Sequence, residues 1–332
     1  MKHAKNLGTL LGIIVCICMA GVPDTRAAQV SLNYRLKWLF NTSVAGDIFA
    51  MEKGFFAAAG LDVTVKEGSP EKDAIKELEL GYADFGVASA DQVIRALEKG
   101  ADVVVLAQIF QTNPMQWIYR DSRIQITRLS DLKDCSMGIT YGGNDETIMK
   151  TLLAKAGLTL RDVRVTGVRF DFTPFLKKQV TLWPVYRNSQ GVILAGQLAR
   201  EGESVRFFNP ADYGVDFVAN SVVTSGEMAA DHPDLVRQFL SALLEAWEAA
   251  MDPANQEQVL RAVKKYDTGT QGQVQKAQLD ATRDLVKPGP DTAVGRIRQA
   301  AWAQTEAIML EQGMIRQPVD VTSRLRDLAS FQ

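Results

Sequence analysis

From residue 30 to about residue 223, short apolar stretches alternate with amphipathic stretches of helical period. Glycines close three of the helical stretches, at Gly54, Gly81 and Gly100, which is where a helix typically ends. Residues 103–110 are almost continuously apolar, as expected for a strand that is covered on both faces. This alternation predicts an α/β fold with mostly parallel sheets flanked by helices and joined by right-handed crossovers.

The alternation falls into two blocks and then stops. Predicted strands lie at residues 32–39, 61–65, 85–87 and 103–110 in the first block, and at residues 136–139, 163–168, 182–186, 205–208 and 217–223 in the second. From His232 onward only amphipathic helices are predicted, with Trp247 and Trp302 as core anchors. No linker rich in Gly, Ser or Pro separates the blocks. We therefore expect the chain to cross into a second domain and return.

Two helix starts can be predicted from local motifs. Ser89 is followed three residues later by Gln92, which is the spacing of a capping box. Ser69-Pro70-Glu71 combines a capping serine with a proline at the first helical position, so a helix is predicted to begin there.

The N-terminus has the pattern of a secretory signal peptide. Lys2, His3 and Lys5 precede an apolar run over residues 7–20, and small residues follow near Ala27. The run is shorter than the ~20 residues that a membrane-spanning helix needs, although retention as a membrane anchor stays open. We predict that residues 1–27 are removed and that the mature protein is periplasmic.

Composition and residue counts argue against several functions. The chain of 332 residues is 46% hydrophobic and 23% charged with a net charge of −2, which is typical of a globular protein and unfavourable for nucleic-acid binding. Beyond the leader it keeps one cysteine, Cys135, and one histidine, His232. No metal-ligand spacing and no Ser-His-Asp set can be assembled from them, so we expect no metal, no cofactor and no catalysis of that kind.

Several segments resemble one known family in their order and spacing. They are residues 37–42, 52–56, 60–63, 81–87 and 233–236. Together they resemble the periplasmic solute-binding proteins that serve ABC importers of nitrate, sulfonates, taurine and thiamine-pyrimidine precursors. The segment around Trp38 and the one around Trp183 look closest to the thiamine-pyrimidine branch. The sequence departs from that branch at Phe40, where proline is common, and at Val44, where histidine is common.

The resemblance implies a type II periplasmic-binding-protein fold with the ligand in a cleft between two lobes. We expect lobe 1 to comprise residues 30–120 plus 223–332 and lobe 2 to comprise residues 121–222. The implied partners are a small-molecule ligand and the permease and ATPase subunits of an importer, and the protein is expected to be a monomer. Related eukaryotic enzymes synthesise the thiamine pyrimidine from a histidine of their own, but Val44 stands at the corresponding position here.

Candidate ligand contacts follow predicted strands, because ligands of open α/β sheets bind outside the carboxyl ends of the strands. Aromatic rings there can stack on a planar ligand, asparagine amides can donate and accept, and helix N-termini can bind anions or carbonyl groups. Each residue could instead be a core or capping residue. The candidates are Trp38, Asn41, Ser89, Gln111, Gly143, Asn144, Glu146, Asp171, Trp183, Tyr186 and Asn188.

The charges near these residues suggest a ligand class. The proposed loops contribute the carboxylates of Asp91, Asp145, Glu146 and Asp171, whereas Arg187 is the basic residue that we place beside a contact. We therefore predict a neutral or cationic planar heteroaromatic ligand, such as a thiamine-pyrimidine precursor. A receptor for taurine, alkylsulfonates or nitrate on the same fold is the first alternative, and a pyrimidine-forming enzyme is the second.

Overall fold

A computed structural model describes residues 29–69, 71–168 and 171–331. The predicted signal peptide, residues 1–27, lies outside these ranges. No helix within them is both long and apolar enough to cross a membrane.

Ten strands are found in the described ranges. They are β1 Val30–Arg35, β2 Leu61–Lys66, β3 Phe85–Ala88, β4 Val103–Gln108, β5 Met115–Arg120, β6 Ser136–Ile139, β7 Arg164–Gly167, β8 Trp183–Tyr186, β9 Val205–Phe208 and β10 Ser221–Ser225.

Twelve α-helices connect or follow these strands in the same part of the chain. They are α1 Ala45–Glu52, α2 Phe55–Ala58, α3 Ala74–Glu79, α4 Ala90–Glu98, α5 Asn144–Lys155, α6 Thr173–Leu176, α7 Gln190–Arg200, α8 Gly226–Asp231, α9 Pro233–Met251, α10 Gln256–Lys264, α11 Gly272–Val286 and α12 Gln299–Glu311.

The first sheet has the strand order β2-β1-β3-β10-β4. Strand β1 runs parallel to β2 and β3, whereas β10 is antiparallel to β3 and β4. All residues of β3 and β4 are buried, because helices cover both faces of the sheet. The antiparallel strand β10 is the one that the chain reaches on its return from the second block.

The second sheet repeats this arrangement. Strands β8, β5 and β9 pair in that order and antiparallel, and β6 runs parallel to β7. The two parts meet at a parallel bridge between Met137 and Leu182, where the Gly138 amide donates to the Leu182 carbonyl at 2.8 Å. The resulting order is β7-β6-β8-β5-β9. Its antiparallel strand, β5, is the strand that the chain forms on leaving the first sheet.

The sequence-based prediction did not include strand β5, which pairs with strands of the second sheet. All six of its residues are buried, including Gln116 and Arg120, so the stretch lacks the apolar pattern of the other strands. The Arg120 guanidinium is held by Glu203 and by the Phe175 carbonyl. Residues 115–120 therefore belong to the second sheet, although the prediction assigned residues 30–120 to the first lobe. Likewise β10, from Ser221, belongs to the first sheet.

Most predicted helices are present, with two differences. Gln92 accepts a hydrogen bond from the Ser89 amide, which confirms the predicted capping box. The helix predicted to begin at Ser69 begins instead at Ala74, because Asp73 caps it by accepting from the Lys76 amide. The last predicted helix, over residues 292–312, is shorter than expected and spans Gln299–Glu311.

The hydrophobic core extends through both sheets. One cluster joins the first sheet to α1 and α9, and a small one lies between β8 and α7. Between them a third cluster combines residues of both sheets, such as Val105 and Met137, with Trp302 of α12. Trp247 and Trp302 are buried as predicted. The C-terminal helices therefore hold the two sheets together.

Candidate functional site at the facing strand ends

The carboxyl ends of β1 and β3 face those of β6 and β8, so the loops of the two sheets meet. The Asn144 amide at the start of α5 donates to the Asp91 carboxylate on α4 at 3.1 Å. The Asn188 amide after β8 donates to the Ser43 hydroxyl at 3.1 Å and to the Thr282 hydroxyl at 3.0 Å. The structure thus brings four of the predicted ligand segments together between the two sheets, and we call the region where they meet the cleft.

Backbone hydrogen bonds between the chain after β1 and the chain after β2 continue beyond the two strands and fix the loop after β1. The Leu36 amide donates to the Lys66 carbonyl at 2.8 Å, and the Gly68 amide donates to the Trp38 carbonyl at 3.2 Å. Trp38 is 50% exposed. Asn41 caps the following turn by accepting from the Ser43 amide at 2.7 Å, so its side-chain oxygen is already engaged.

The loop after β3 carries a buried carboxylate that bonds in three directions. Asp91 accepts from the Ser89 hydroxyl at 2.5 Å and from Arg95 at 2.8 Å, in addition to Asn144. Burial acts to raise the pKa of Asp91, but the charge of Lys37 and these hydrogen bonds outweigh it and hold the pKa below its usual value. Ser89 is buried as well and serves the helix cap.

The loop after β6 turns tightly at Gly142, whose backbone is left-handed, and the Gly143 amide closes the turn by donating to the Thr140 carbonyl at 2.8 Å. Asn144 follows and reaches Asp91. Asp145 points back into its own loop and accepts from the Thr140 amide at 2.7 Å. Burial raises the pKa of Asp145 to about 6. Glu146 is paired with Lys150 at 2.7 Å and accepts from the Gly142 amide, which identifies it as a carboxylate that stabilises its own helix.

The loop after β8 requires a correction. Trp183 is 1% exposed and packs in the core beside Phe175 and Leu194, so its ring cannot offer a stacking face. It lies inside the strand, where alternate side chains point to opposite sides of the sheet. Tyr186, at the end of the strand, is 40% exposed, and Asn188 bridges the cleft.

Tyr186 lies close to acidic residues of both halves of the molecule. Burial raises the pKa of its hydroxyl to about 12, with Asp91 and Asp145 adding to the shift. The neighbours that shift its pKa come from both sheets, so Tyr186 lies where the two meet.

Three other predicted residues serve structural roles. Gln111 is buried and donates to the carbonyls of Gln108 and Arg296, which ties the crossover segment to the C-terminal region. Asp171 is exposed and caps α6 through the Thr173 amide at 2.9 Å. The Arg187 guanidinium lies over the Phe207 ring at 4.3 Å and is therefore engaged outside the cleft.

Two cleft residues were not predicted. Lys37, directly before Trp38, is half-buried. Burial lowers the pKa of Lys37, although the negative charges of Asp91 and Asp73 act to raise it. Tyr141, in the loop after β6, is 68% exposed. Both could have been found from the sequence, since each lies beside a segment that was already selected for its position after a strand.

Nothing in the described part of the chain resembles a metal or nucleophile site. No group of three His, Cys, Asp or Glu side chains there is arranged to hold a metal ion. The Cys135 thiol is buried at the start of β6, donates to the Asp131 carbonyl, and has a raised pKa because of burial.

Comparisons with known proteins agree on one family. The family model described as NMT1/THI5 like matches residues 41–256. A riboflavin-binding protein, RibY, of Chloroflexus aurantiacus is 25% identical, and the match covers 95% of this chain and 94% of that protein. A formylaminopyrimidine-binding protein of Halalkalibacterium halodurans is also 25% identical, with 75% of each chain covered.

Solved structures confirm the predicted two-lobed α/β binding-protein fold. The periplasmic aliphatic sulphonate binding protein SsuA of Escherichia coli matches with a TM-score of 0.70 at 18% identity, covering 89% of this chain and 91% of that one. The desulfurization enzyme DSZB matches with a TM-score of 0.59 at 15% identity, covering 91% and 99%. At these identities the likeness extends to the fold alone.

Proposed function

We propose that this chain, which belongs to the NMT1/THI5-like family, is the extracytoplasmic solute-binding receptor of an ABC importer and carries a small planar heteroaromatic nutrient. The observation that carries the proposal is the meeting of four strand-end loops, two from each sheet, in one cleft that is bridged by Asn144 and Asn188. A cleft made by two sheets can open to admit a solute and close around it.

The side chains in this cleft suit a flat ring. Trp38 follows a strand of the first sheet and Tyr186 ends a strand of the second, and both expose aromatic surface. Aromatic faces favour stacked or edge-on rings. The two relatives whose names state a ligand are a riboflavin-binding and a formylaminopyrimidine-binding protein, and both of those ligands contain planar heteroaromatic rings.

The lobes and the location are part of the proposal. By sheet membership, lobe 1 comprises the first sheet with α1 to α4 and α8 to α12, and lobe 2 comprises the second sheet with α5 to α7. The chain crosses between them near residues 109–114 and 209–220. The predicted leader would direct the protein to the periplasm, where it acts as a monomer and delivers its ligand to the permease and ATPase subunits of an importer.

Sulfonate binding is the second candidate function. It is favoured by the helix α5, which begins at Asn144 beside the other cleft loops, because the N-terminus of a helix can bind an anion. A role in catalysis, as in the DSZB structure, has less support. The single cysteine in the described ranges, Cys135, is buried away from the cleft.

Calorimetry with riboflavin, an aminopyrimidine and taurine tests the proposal. We expect micromolar or tighter binding of a planar compound. Trp38→Ala should weaken that binding by about 1–3 kcal/mol if the ring stacks on the ligand. Tyr82→Ala is the matched control, because Tyr82 is similarly exposed but precedes β3, at the opposite end of the strand from the cleft. Binding of taurine alone would favour the second candidate.

A further inference from the structure

The two crossing segments, near residues 109–114 and 209–220, are bonded to each other. The Asn113 side chain in the first segment donates to the Phe217 carbonyl in the second at 2.6 Å. The Asn220 carbonyl accepts from the first two amides of the first segment at 3.0 and 3.3 Å. A hinge between two lobes normally consists of a few loop residues whose backbone angles can change. Both segments here are therefore more restrained than free hinge loops.

Arg298, the residue directly before α12, joins both crossing segments. Its guanidinium donates to the Asp216 carboxylate in the second segment at 2.6 and 3.4 Å, and to the Gln111 carbonyl in the first at 3.1 Å. The Gln111 side chain in turn donates to the Arg296 carbonyl at 2.8 Å. A pair of bonds between one guanidinium and one carboxylate fixes direction as well as distance. We call these four residues the hinge cluster.

Helix α12 and the chain that follows it are attached to both regions. Trp302 of α12 is buried in the central cluster, which contains residues of both sheets. Beyond the helix, the Met314 sulfur accepts from the Thr147 hydroxyl on α5 at 2.9 Å, and the Arg326 amide donates to the Val105 carbonyl of β4 at 2.9 Å. Packed interiors keep discrete arrangements and do not deform continuously. A wide rotation between the sheets would therefore have to detach this stretch from one of them.

We propose that the hinge cluster and α12 act as a brace that limits how far the two lobes separate, so that the ligand-free protein stays close to the arrangement in this structure. The Arg298 guanidinium is the centre of the brace, because it bonds to both crossing segments at once. The inference goes beyond the proposed function, since it concerns a motion that takes place whether or not a ligand binds.

Electron–electron double resonance between two spin labels measures the separation of the lobes. Glu79→Cys on α3 and Arg200→Cys on α7 place one label on each lobe at exposed positions, and the parent chain, whose Cys135 thiol is buried, is the labelling blank. In the ligand-free protein we expect one narrow distance distribution centred on the distance in this structure. Arg298→Gln should broaden it and move its mean by more than about 2 Å, and Asp216→Asn, which keeps a neutral acceptor, should move it less.

Arg324→Gln is the matched control, because Arg324 pairs at 2.8 Å with Asp102, which directly precedes β4 in the first sheet. It should leave the distribution unchanged, and thermal unfolding of each variant checks that it is folded. If Arg298→Gln does not fold, Asp216→Asn decides.

Two results would overturn the inference. One is a wild-type distribution that is already broad or centred far from the distance in this structure, and the other is a hinge-cluster variant whose distribution equals that of the wild type. Ligand binding takes no part in this readout. Either result therefore leaves the proposed function standing, and a failure to bind any ligand leaves the brace standing.

Discussion

The two sheets share one topology and differ in how they are supported. In the strand order of each sheet, the second strand is the first parallel strand of its block, β1 or β6. The fourth strand, β10 or β5, is antiparallel to its neighbours and is formed where the chain has just crossed from the other sheet. The first sheet is continuous and backed by the long helices α9 and α11. In the second, β6 joins β8 through a bridge, and the helix before β8 is only four residues long.

The two regions therefore differ in the size of the hydrophobic core that each has for itself. The first sheet and its C-terminal helices form the larger core, while the second contributes a small cluster around Trp183 and shares the central cluster with α12. The second sheet therefore has a small core of its own and shares the rest of its buried residues with the first region. Each sheet nevertheless supplies an exposed aromatic ring and a bridging hydrogen bond to the cleft.

The largest effect is expected from removing one buried tryptophan on each side. Trp247→Ala in the first region and Trp183→Ala in the second should each cost about 3–5 kcal/mol of unfolding free energy. Because the central cluster contains residues of both sheets, both variants should shift one cooperative urea transition. A separate transition at lower urea in the Trp183 variant would show that the second region unfolds alone. It would contradict the view that the central cluster couples the two regions.

The next largest effect is a pH dependence of stability, which a buried aspartate in each region should cause. Asp47 on α1 accepts from the Tyr34 hydroxyl at 2.7 Å and from the Trp247 indole at 3.3 Å, and burial raises its pKa to about 7. Since the folded state then binds the proton more tightly, the stabilisation is complete below pH ~4 and is lost as the pH rises through about 7. Three pKa units correspond to at most about 4 kcal/mol.

The Asp47→Asn variant should remove that slope while keeping the acceptor oxygen. Urea unfolding at pH 4, 6 and 8 measures it. Asp145→Asn in the second region is the matched comparison, and its slope should end near pH 6 because burial raises the Asp145 pKa to about 6. Equal slopes in the Asp47 variant and the wild type would show that Asp47 is not the group responsible.

Two glycines, one beside the loop after β1 and one in the loop after β6, should give the smallest changes in ligand affinity. Gly68→Ala would push a Cβ into backbone atoms of the segment that carries Lys37 and Trp38, so affinity for a planar ligand should fall about tenfold or more. In the second region, a Cβ at Gly143 would meet the Asp145 side chain at 2.6 Å and the Thr140 carbonyl at 3.0 Å, and the movable carboxylate should make the loss smaller. Equal losses would contradict the view that the first loop is the more rigid.

Much of the fold could be predicted from the sequence, because the alternation of strands and helices and the glycine helix ends are local signals. Strand β5 could not, since its buried Gln116 and Arg120 are tolerated only through distant residues. The site was predicted at the level of segments. The side chains that face the ligand were harder to predict from the sequence. Trp183 is buried in the core. Asp91 is bonded to Asn144 of the other sheet's loop and to Arg95 one helical turn away, and neither contact is visible in the local sequence.

The central claim is that one ligand contacts side chains of both sheets, and the Tyr186→Ala variant tests it most directly. Calorimetry should be run with the planar compound whose binding Trp38→Ala weakens, and with Ile193→Ala, an exposed position on α7 near the same strand, as the control. We predict a loss of affinity of about tenfold for Tyr186→Ala and none for the control. Unchanged affinity in the Tyr186 variant would mean that the ligand binds to the first sheet alone, and it would contradict a binding cleft between the two.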